Sequence, residues 1–202
     1  MSPKQDVSEE RKNQILDAAM NIFAKMGFHK ARMDDVAQES GLSKGALYWY
    51  FKSKDAIIAA ILERLFNLAL KDLKRLEQAG EGSVREGLMG YTDQLLGFMD
   101  RMKPLLPMMY EFYALMGRQK MMQQFARGYY REYIGVMAKV IQRGIERGEF
   151  KEVDPVDVAA TFVALFEGLT LIWIVDAESL PLEKQLPVSM CLLLDSIQKP
   201  EE

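Results

Sequence analysis

The chain has 202 residues, a net charge of −3, one cysteine and one histidine. A single cysteine excludes an internal disulfide and a cysteine-rich zinc site, and a single histidine leaves no metal-binding set and no nucleophile–histidine pair. We therefore expect no catalytic residues, no metal and no cofactor, and we do not expect an enzyme. The length allows one medium domain or two small ones with a buried core.

Two further exclusions concern targeting. The N-terminus lacks a basic segment followed by an apolar run and small residues, so we expect no secretory signal. The most apolar run, from Phe162 to Val175, contains Glu167 and is shorter than a bilayer requires, so we expect no membrane span. These features predict a cytoplasmic protein. Its acidic balance lies in the later part of the chain, because residues 1–55 hold nine Lys and Arg against eight Asp and Glu.

The first predicted element is an amphipathic helix with Ser8 as its N-cap and Gly27 at its end. Its apolar residues recur at spacings of three and four, which predicts one buried face: Ile15, Ala18, Ala19, Ile22, Phe23 and Met26. A second helix is predicted from about Arg32 to Ser40, and a third follows after Gly41 with Ser43 as its N-cap. A short turn between the second and third of three helices is typical of a helix-turn-helix unit.

The third helix carries three consecutive aromatic residues, Tyr48, Trp49 and Tyr50. Adjacent helical positions point about 100° apart, so at least two of these rings must face outward. Leu47 and Phe51 already complete an apolar stripe of core positions. Exposed aromatic side chains beside lysines suit a helix that lies in a DNA major groove. The alternative is that all three rings pack inside the small domain.

Residues 8 to 60 resemble the DNA-binding domain of the TetR family of bacterial repressors. The resemblance rests on Arg11-Lys12-x-x-Ile15-x-x-Ala18-Ala19-x-x-x-Phe23-Ala24-x-x-Gly27-Phe28, on Met33-Asp34-Asp35-Val36-Ala37, and on Gly41-Leu42-Ser43-Lys44-Gly45-Ala46-Leu47-Tyr48-Trp49-Tyr50-Phe51-x-Ser53-Lys54. It implies that Lys44, Gly45, Ala46 and the three aromatic residues lie on the recognition helix, and that Lys54 binds a phosphate. The expected DNA-binding set is Arg32, Ser43, Lys44, Gly45, Ala46, Tyr48, Trp49, Tyr50 and Lys54.

Arg32 departs from the family pattern, because such proteins often have Thr or Ser at this position. The hydroxyl there caps the second helix and touches a phosphate. A guanidinium has no acceptor for a cap, although its charge can reach a phosphate. We therefore expect Arg32 to contribute only through its charge.

Residues beyond 54 predict helices throughout, so the expected fold is all-α. The helix-turn-helix domain is expected to span residues 1–54. A helical effector-binding and dimerisation body would span 55–202, with helix four shared between them as the lever. Ser53 would cap helix four, which would run to about Glu77, and residues 80–83 form a turn. Further helices are predicted at 84–101, 104–116, 118–147, 155–176 and 182–199.

The last two helices predict a homodimer. The helix over 158–175 is apolar nearly all round, so it must be buried on both sides. The final helix repeats the pattern with Leu186, Met190, Leu193, Leu194 and Ile197. Two such helices from each of two subunits would form a four-helix interface, and a two-fold dimer would bind a palindromic operator in double-stranded DNA. A buried helix within a monomer is the alternative.

An excess of methionine and aromatic residues between 108 and 137 suits the wall of a pocket for a flat or elongated apolar molecule. The family resemblance implies that a small effector binds the body and releases the protein from DNA. The candidate pocket residues are Met109, Tyr110, Tyr113, Phe125, Tyr129, Phe166 and Trp173, with Glu111 and Glu167 as acids among apolar neighbours. Ordinary core packing is the alternative for each of them.

Together these patterns predict a DNA-binding transcriptional regulator, a repressor released from a palindromic operator by a small apolar or aromatic effector. The alternative is a helix-turn-helix protein without a small-molecule effector, with an architectural or activator role. The sequence does not exclude this alternative, because a solid core and a pocket wall use the same residue types.

Overall fold

The computed structural model describes residues 3–80 and 82–200; within that range, the side chains of residues 3–6, 104, 106, 107, 110 and 112 are not described. The described residues form α-helices and no strand apart from one isolated antiparallel bridge between Phe150 and Gln198, which confirms the all-α prediction. The helices are α1 (Pro3–Met26), α2 (Met33–Glu39), α3 (Lys44–Tyr50), α4 (Lys54–Gln78), α5 (Val84–Met102), α6 (Leu106–Arg118), α7 (Lys120–Glu146), α8 (Pro155–Val175) and α9 (Leu182–Ile197), with a 3-10 turn at Lys103–Leu105.

The helix ends follow the local signals in most places. Gly27 and Gly41 have φ values of +76° and +67°, so glycine ends α1 and turns the chain after α2. Ser53 caps α4, since its hydroxyl accepts from the amide of Ala56 at 3.2 Å. The prediction for Ser8 was wrong: α1 begins at Pro3, where a first-turn proline is tolerated, and Ser8 lies inside the helix.

The chain divides into two compact units. The first unit contains residues 3–67 and Met102–Ala126, and the second contains Leu68–Arg101 and residues 127–200. Within the first unit, the Arg64 guanidinium on α4 lies 2.7 Å from the Asp17 carboxylate on α1. Gln119, just after α6, donates to the carboxylate of Asp55 at 2.8 Å. These contact-based units do not follow the predicted functional division at residues 54 and 55, which stays a prediction.

In the second unit, the end of α7 organises the turn between α4 and α5. The Arg143 guanidinium donates to the carbonyls of Leu76 and Ala79, at 2.9 and 2.8 Å, and so binds the free carbonyl end of α4. Gly148, with φ of +73°, ends α7. Phe150 is buried against Gly144, where an added Cβ would lie less than 3.0 Å from the ring.

Glu149, in the same turn, caps the N-terminus of α5. Its carboxylate accepts from the amide of Val84 at 2.8 Å and from the hydroxyl of Ser83 at 2.7 Å. Burial of the carboxyl opposes ionisation, but these bonds, the amide of Arg85 and the charge of Arg147 together lower the pKa of Glu149. The ionised form of this side chain therefore stabilises the fold.

Helix α8 has an uncovered apolar side. Val158, Phe162 and Trp173 are buried, whereas Leu171, Ile172 and Val175 are exposed, Val175 by 70%. Asp154 caps this helix, accepting from the amide of Val156 at 2.8 Å, so the apolar segment begins earlier than Phe162.

The expectation that this segment is too short for a bilayer is therefore wrong. The helix has 21 residues, contains an 18-residue window with a mean hydropathy of 2.1, and is long and apolar enough to cross a membrane by length and composition alone. A helix that packs against a partner chain meets the same criterion, because both environments exclude water.

Candidate nucleic-acid interface

The turn between α2 and α3 has the helix-turn-helix geometry. The amide of Leu42 donates to the carbonyl of Ala37 at 3.1 Å, which closes the turn at Gly41. Ser43 then caps α3, because its hydroxyl accepts from the amide of Ala46 at 3.2 Å. Leu47 is completely buried and fixes α3 to the rest of the first unit.

The outer face of α3 carries two exposed aromatic rings. Tyr48 is 43% exposed and Trp49 is 69% exposed, so the alternative that all three aromatic residues are core is excluded. Tyr50 is half-buried, and its ring meets that of Trp49 edge-to-face at 4.6 Å. Leu47 and Phe51 are buried, as predicted for the core stripe. Two exposed rings on a short helix anchored by a buried leucine suit apolar contact with base edges.

Small residues at the start of α3 leave room beside the rings. Gly45 is exposed, and a Cβ added there would meet nothing within 4 Å. Ala46 is half-buried. The N-terminal turn of α3 therefore lacks bulky side chains, so another molecule can approach its backbone closely.

Each lysine near α3 already has a partner. The Lys44 ammonium lies 2.6 Å from the carboxylate of Asp34 on α2, and both side chains are exposed. Lys54 donates to the carbonyl of Phe28 at 2.7 Å and to that of His29 at 3.3 Å. It also lies 4.5 Å from the centroid of the Phe28 ring. Lys54 therefore fixes the loop after α1, and its predicted phosphate contact stays a prediction.

Arg32 occupies the N-cap position of α2 and is exposed. Its guanidinium offers only donors, so it cannot accept from the helix amides. The carboxylate of Asp35 instead accepts from the amide of Arg32 at 2.8 Å, which is one half of a capping box. Sequence reasoning missed this role for Asp35, although an acidic residue three positions after the cap is its usual signal.

The candidate effector residues divide between the two units. Met109, Tyr113 and Phe125 belong to the first unit and are half-buried, and the Phe125 ring stacks on Phe66 at 5.9 Å. The side chain of Tyr110 lies outside the described residues.

Tyr129, Phe166 and Trp173 belong to the second unit. Tyr129 and Phe166 are half-buried, whereas only 5% of Trp173 is exposed. The buried position of Trp173 favours the alternative of ordinary core packing for that residue.

The second unit contains a tyrosine cluster around α5, α7 and α8. The hydroxyls of Tyr91 and Tyr133 lie 2.8 Å apart, and the Tyr129 and Tyr133 rings are 5.8 Å apart. Burial raises the pKa of all three phenols, so they stay neutral. The hydroxyl of Tyr130 donates to the Glu167 carboxylate at 2.7 Å. The sequence alone did not single out Tyr91, because its partner lies far along the chain.

Glu111, the other predicted acid, pairs in the first unit. Its carboxylate lies 2.6 Å from Nε2 of His29, whose side chain is 82% exposed. The histidine is thus a surface residue. An open groove of about 630 Å³ lies in the second unit between α4 and α5 and is lined by Asp72, Arg75, Leu76, Ala79, Gly87, Gly90, Tyr91, Gln94, Gly97 and Arg101. No candidate effector residue with a described side chain lines this groove.

Comparison with known proteins assigns both parts of the chain to one family. Residues 15–61 match the family described as bacterial regulatory proteins, tetR family, and residues 71–195 match the BetI-type transcriptional repressor, C-terminal. The HTH-type transcriptional regulator YfiR of Bacillus subtilis is 32% identical over 165 residues, which cover 80% of this chain and 80% of that protein.

Solved structures share the fold. SmeT, the repressor of a multidrug efflux pump of Stenotrophomonas maltophilia, has in its triclosan complex a TM-score of 0.80 at 20% identity, covering 96% of this chain and 98% of that one. A Saccharomonospora viridis regulator in complex with choline has a TM-score of 0.79 at 20% identity, covering 95% and 100%. With the helix-turn-helix geometry and the match of the second family over 71–195, these findings identify the chain as a DNA-binding transcriptional regulator of the TetR family.

Proposed function

We propose that the protein is a homodimeric cytoplasmic repressor that reads a palindromic operator through α3 and leaves it when a small effector binds. The exposed pair of rings at Tyr48 and Trp49, on a helix fixed by the buried Leu47, is the observation that carries the proposal. Two-fold related recognition helices read half-sites about one helical turn of DNA apart.

The proposed DNA contacts divide by chemistry. Lys44 would donate to a guanine, and Ala46 or Tyr48 would lie against a thymine methyl, while Trp49 faces neighbouring base edges. Arg32, Tyr50 and Lys54 would contact the sugar–phosphate backbone and set the register. Ser43 caps α3, and Gly45, which has no side chain, would let the DNA approach the helix backbone closely.

The dimer is proposed to form through α8 and α9. Both helices expose apolar residues, among them Ile172 and Val175 on α8 and Val188 and Leu192 on α9. Leu192 is 65% exposed, and together with the other exposed apolar side chains of α8 and α9 it suits burial against a partner chain. Proteins of this family bind DNA and small-molecule effectors as dimers. We therefore assign the apolar side of α8 to a second copy of this chain and not to a lipid bilayer.

The effector is proposed to be a small apolar or aromatic molecule. Structural neighbours with this fold bind triclosan, an apolar aromatic molecule, and choline, a small cation. In the second unit, Tyr129 and Phe166 are half-buried beside Glu167 and offer aromatic walls with one carboxylate. Met109, Tyr113 and Phe125 offer a second set in the first unit. Binding would release DNA only if the effector has a higher affinity for a conformation that does not bind the operator.

Substitution on α3 tests the DNA-binding part of this proposal. Tyr48→Ala is expected to lower operator affinity by about 1–3 kcal/mol, because it removes a base contact. Met121→Ala removes another exposed large side chain, 65% exposed on α7, and should leave affinity unchanged. Both variants should remain dimers by light scattering. Equal operator affinity of the two variants would contradict the role of α3.

The effector part has a separate test. Triclosan and choline serve as first probes in a titration of the protein–operator complex, with Tyr129→Ala and Phe125→Ala as variants of the two candidate sets. Release of DNA by either probe that is lost in one variant supports the effector role and selects the set. Intact DNA binding without release by any ligand of a wider apolar library favours the alternative of a regulator without an effector.

A further inference from the structure

We propose that Asp34 is a specificity-determining residue of the DNA interface: it holds the Lys44 ammonium so that this lysine reads a base edge and does not add sequence-independent phosphate affinity. This inference rests on the proposed function of α3. The main observation behind it is the 2.6 Å ion pair between Asp34 Oδ2 on α2 and Lys44 Nζ at the first position of α3.

The position of Lys44 explains why a carboxylate partner matters. A positive charge at a helix N-terminus opposes the helix dipole, and the first turn of α3 contains no acidic residue. Asp34 supplies the missing negative charge from the neighbouring helix. The side chains of Lys44 and Asp34 are 67% and 53% exposed, so the pair lies at the surface that α3 would present to DNA.

The chemistry of the ammonium permits base reading while the pair is intact. A lysine ammonium has three N–H donors, of which Asp34 uses one. The other two can donate to the O6 and N7 acceptors of a guanine. A phosphate, in contrast, would carry its own negative charge close to the Asp34 carboxylate and would be repelled. The ion pair thus weakens phosphate binding by Lys44 but still allows its ammonium to donate to a guanine.

Asp34→Asn tests this inference by the salt dependence of binding. A freed Lys44 would neutralise about one more phosphate for each α3 on DNA, so the slope of log affinity against log salt on scrambled DNA should steepen by about 0.9 for each α3. If the variant and the wild type bind scrambled DNA equally at about 1 M KCl, this steeper slope makes the variant bind about eightfold more tightly than the wild type at about 0.1 M KCl, for each α3. Operator affinity should rise less, so the ratio of operator to scrambled affinity should fall. Fluorescence anisotropy with both duplexes between 50 and 300 mM KCl measures these quantities.

Two controls separate the pair from net charge. Glu39→Gln removes one negative charge from the same helix, where the Glu39 carboxylate accepts from the side-chain amide of Asn21 at 3.3 Å, and should leave the slope unchanged. In a Lys44→Gln background, Asp34→Asn should no longer change the slope.

Three outcomes would overturn the inference. One is an Asp34→Asn slope equal to that of the wild type or of Glu39→Gln. Another is an effect that persists in the Lys44→Gln background. The third is a wild-type protein that binds operator and scrambled DNA with equal affinity, which contradicts both the proposed function and this inference. If the wild type prefers the operator but Asp34→Asn has the wild-type salt slope, only this inference is contradicted.

Discussion

The contact between Gly144 and Phe150 gives the sharpest stability prediction. A Cβ at position 144 would lie less than 3.0 Å from the buried Phe150 ring, so Gly144→Ala must displace that ring. Overpacking of this kind costs about 1–3 kcal/mol. The same substitution gains about 0.5–1 kcal/mol because alanine is the better helix former. We expect a net destabilisation of up to about 2.5 kcal/mol.

Gly135→Ala is the matched control. Gly135 lies in the same helix, α7, is exposed, and an added Cβ there meets nothing within 4 Å. The helix gain of about 0.5–1 kcal/mol should therefore appear alone, and this variant should be more stable than the wild type. The difference between the two variants cancels that gain and measures the overpacking cost of about 1–3 kcal/mol.

The assay is urea unfolding followed by circular dichroism at one fixed protein concentration, because the stability of a dimer depends on concentration. Gly144→Ala should unfold at lower urea than the wild type, and Gly135→Ala at higher urea. Adding Phe150→Leu to Gly144→Ala should recover part of the loss, since a smaller side chain relieves the overlap. A Gly144→Ala variant as stable as Gly135→Ala would refute the packing of Phe150 against α7.

Three other predictions follow from single contacts. Tyr133→Phe removes one of the two partners of the buried Tyr91 hydroxyl, which keeps its 3.3 Å bond to the carbonyl of Ala69, and should destabilise the fold by about 0.5–1.5 kcal/mol in thermal unfolding. The double variant Tyr91→Phe/Tyr133→Phe should lose less than the sum of the single losses. Glu149→Gln should cost about 1–2 kcal/mol at neutral pH. Because the fold lowers the pKa of Glu149, this difference should persist above pH about 5 and vanish as the pH falls through the lowered pKa, in unfolding curves between pH 7 and 3. Leu192→Glu should yield monomers by light scattering if α9 forms the dimer interface; a persistent dimer would contradict that interface.

Local signals in the sequence predicted the helices and many of their ends. The serine caps at Ser43 and Ser53 act on amides three residues later, and the glycine ends at Gly27 and Gly41 need a positive φ that few other residues adopt. Such signals depend only on neighbouring residues. Ser8 misled the prediction because a capping residue is also tolerated inside a helix, whereas the true start carries a different signal, a proline at the first helical position, Pro3.

Contacts between distant segments could not be predicted from periodicity. Lys54 matched a phosphate-binding pattern, yet its ammonium donates to the carbonyls of Phe28 and His29 after α1. These residues lie about 25 positions earlier in the chain, and no sequence pattern links them to Lys54. The same holds for Arg143, which caps α4 from α7, and for the pair of Lys44 with Asp34. The exposure of Tyr48 was predictable, because three adjacent rings on one helix cannot all face the core.

Selection of bound sequences from a pool of random duplex DNA tests the central claim most directly. The wild-type protein is incubated with the pool at moderate salt, and the retained duplexes are sequenced. We expect a palindrome whose half-sites are centred about 10 base pairs, or a multiple of that, apart, because a two-fold dimer presents two copies of α3. Retention of DNA without any shared sequence, with an affinity set by salt alone, would contradict base reading by α3.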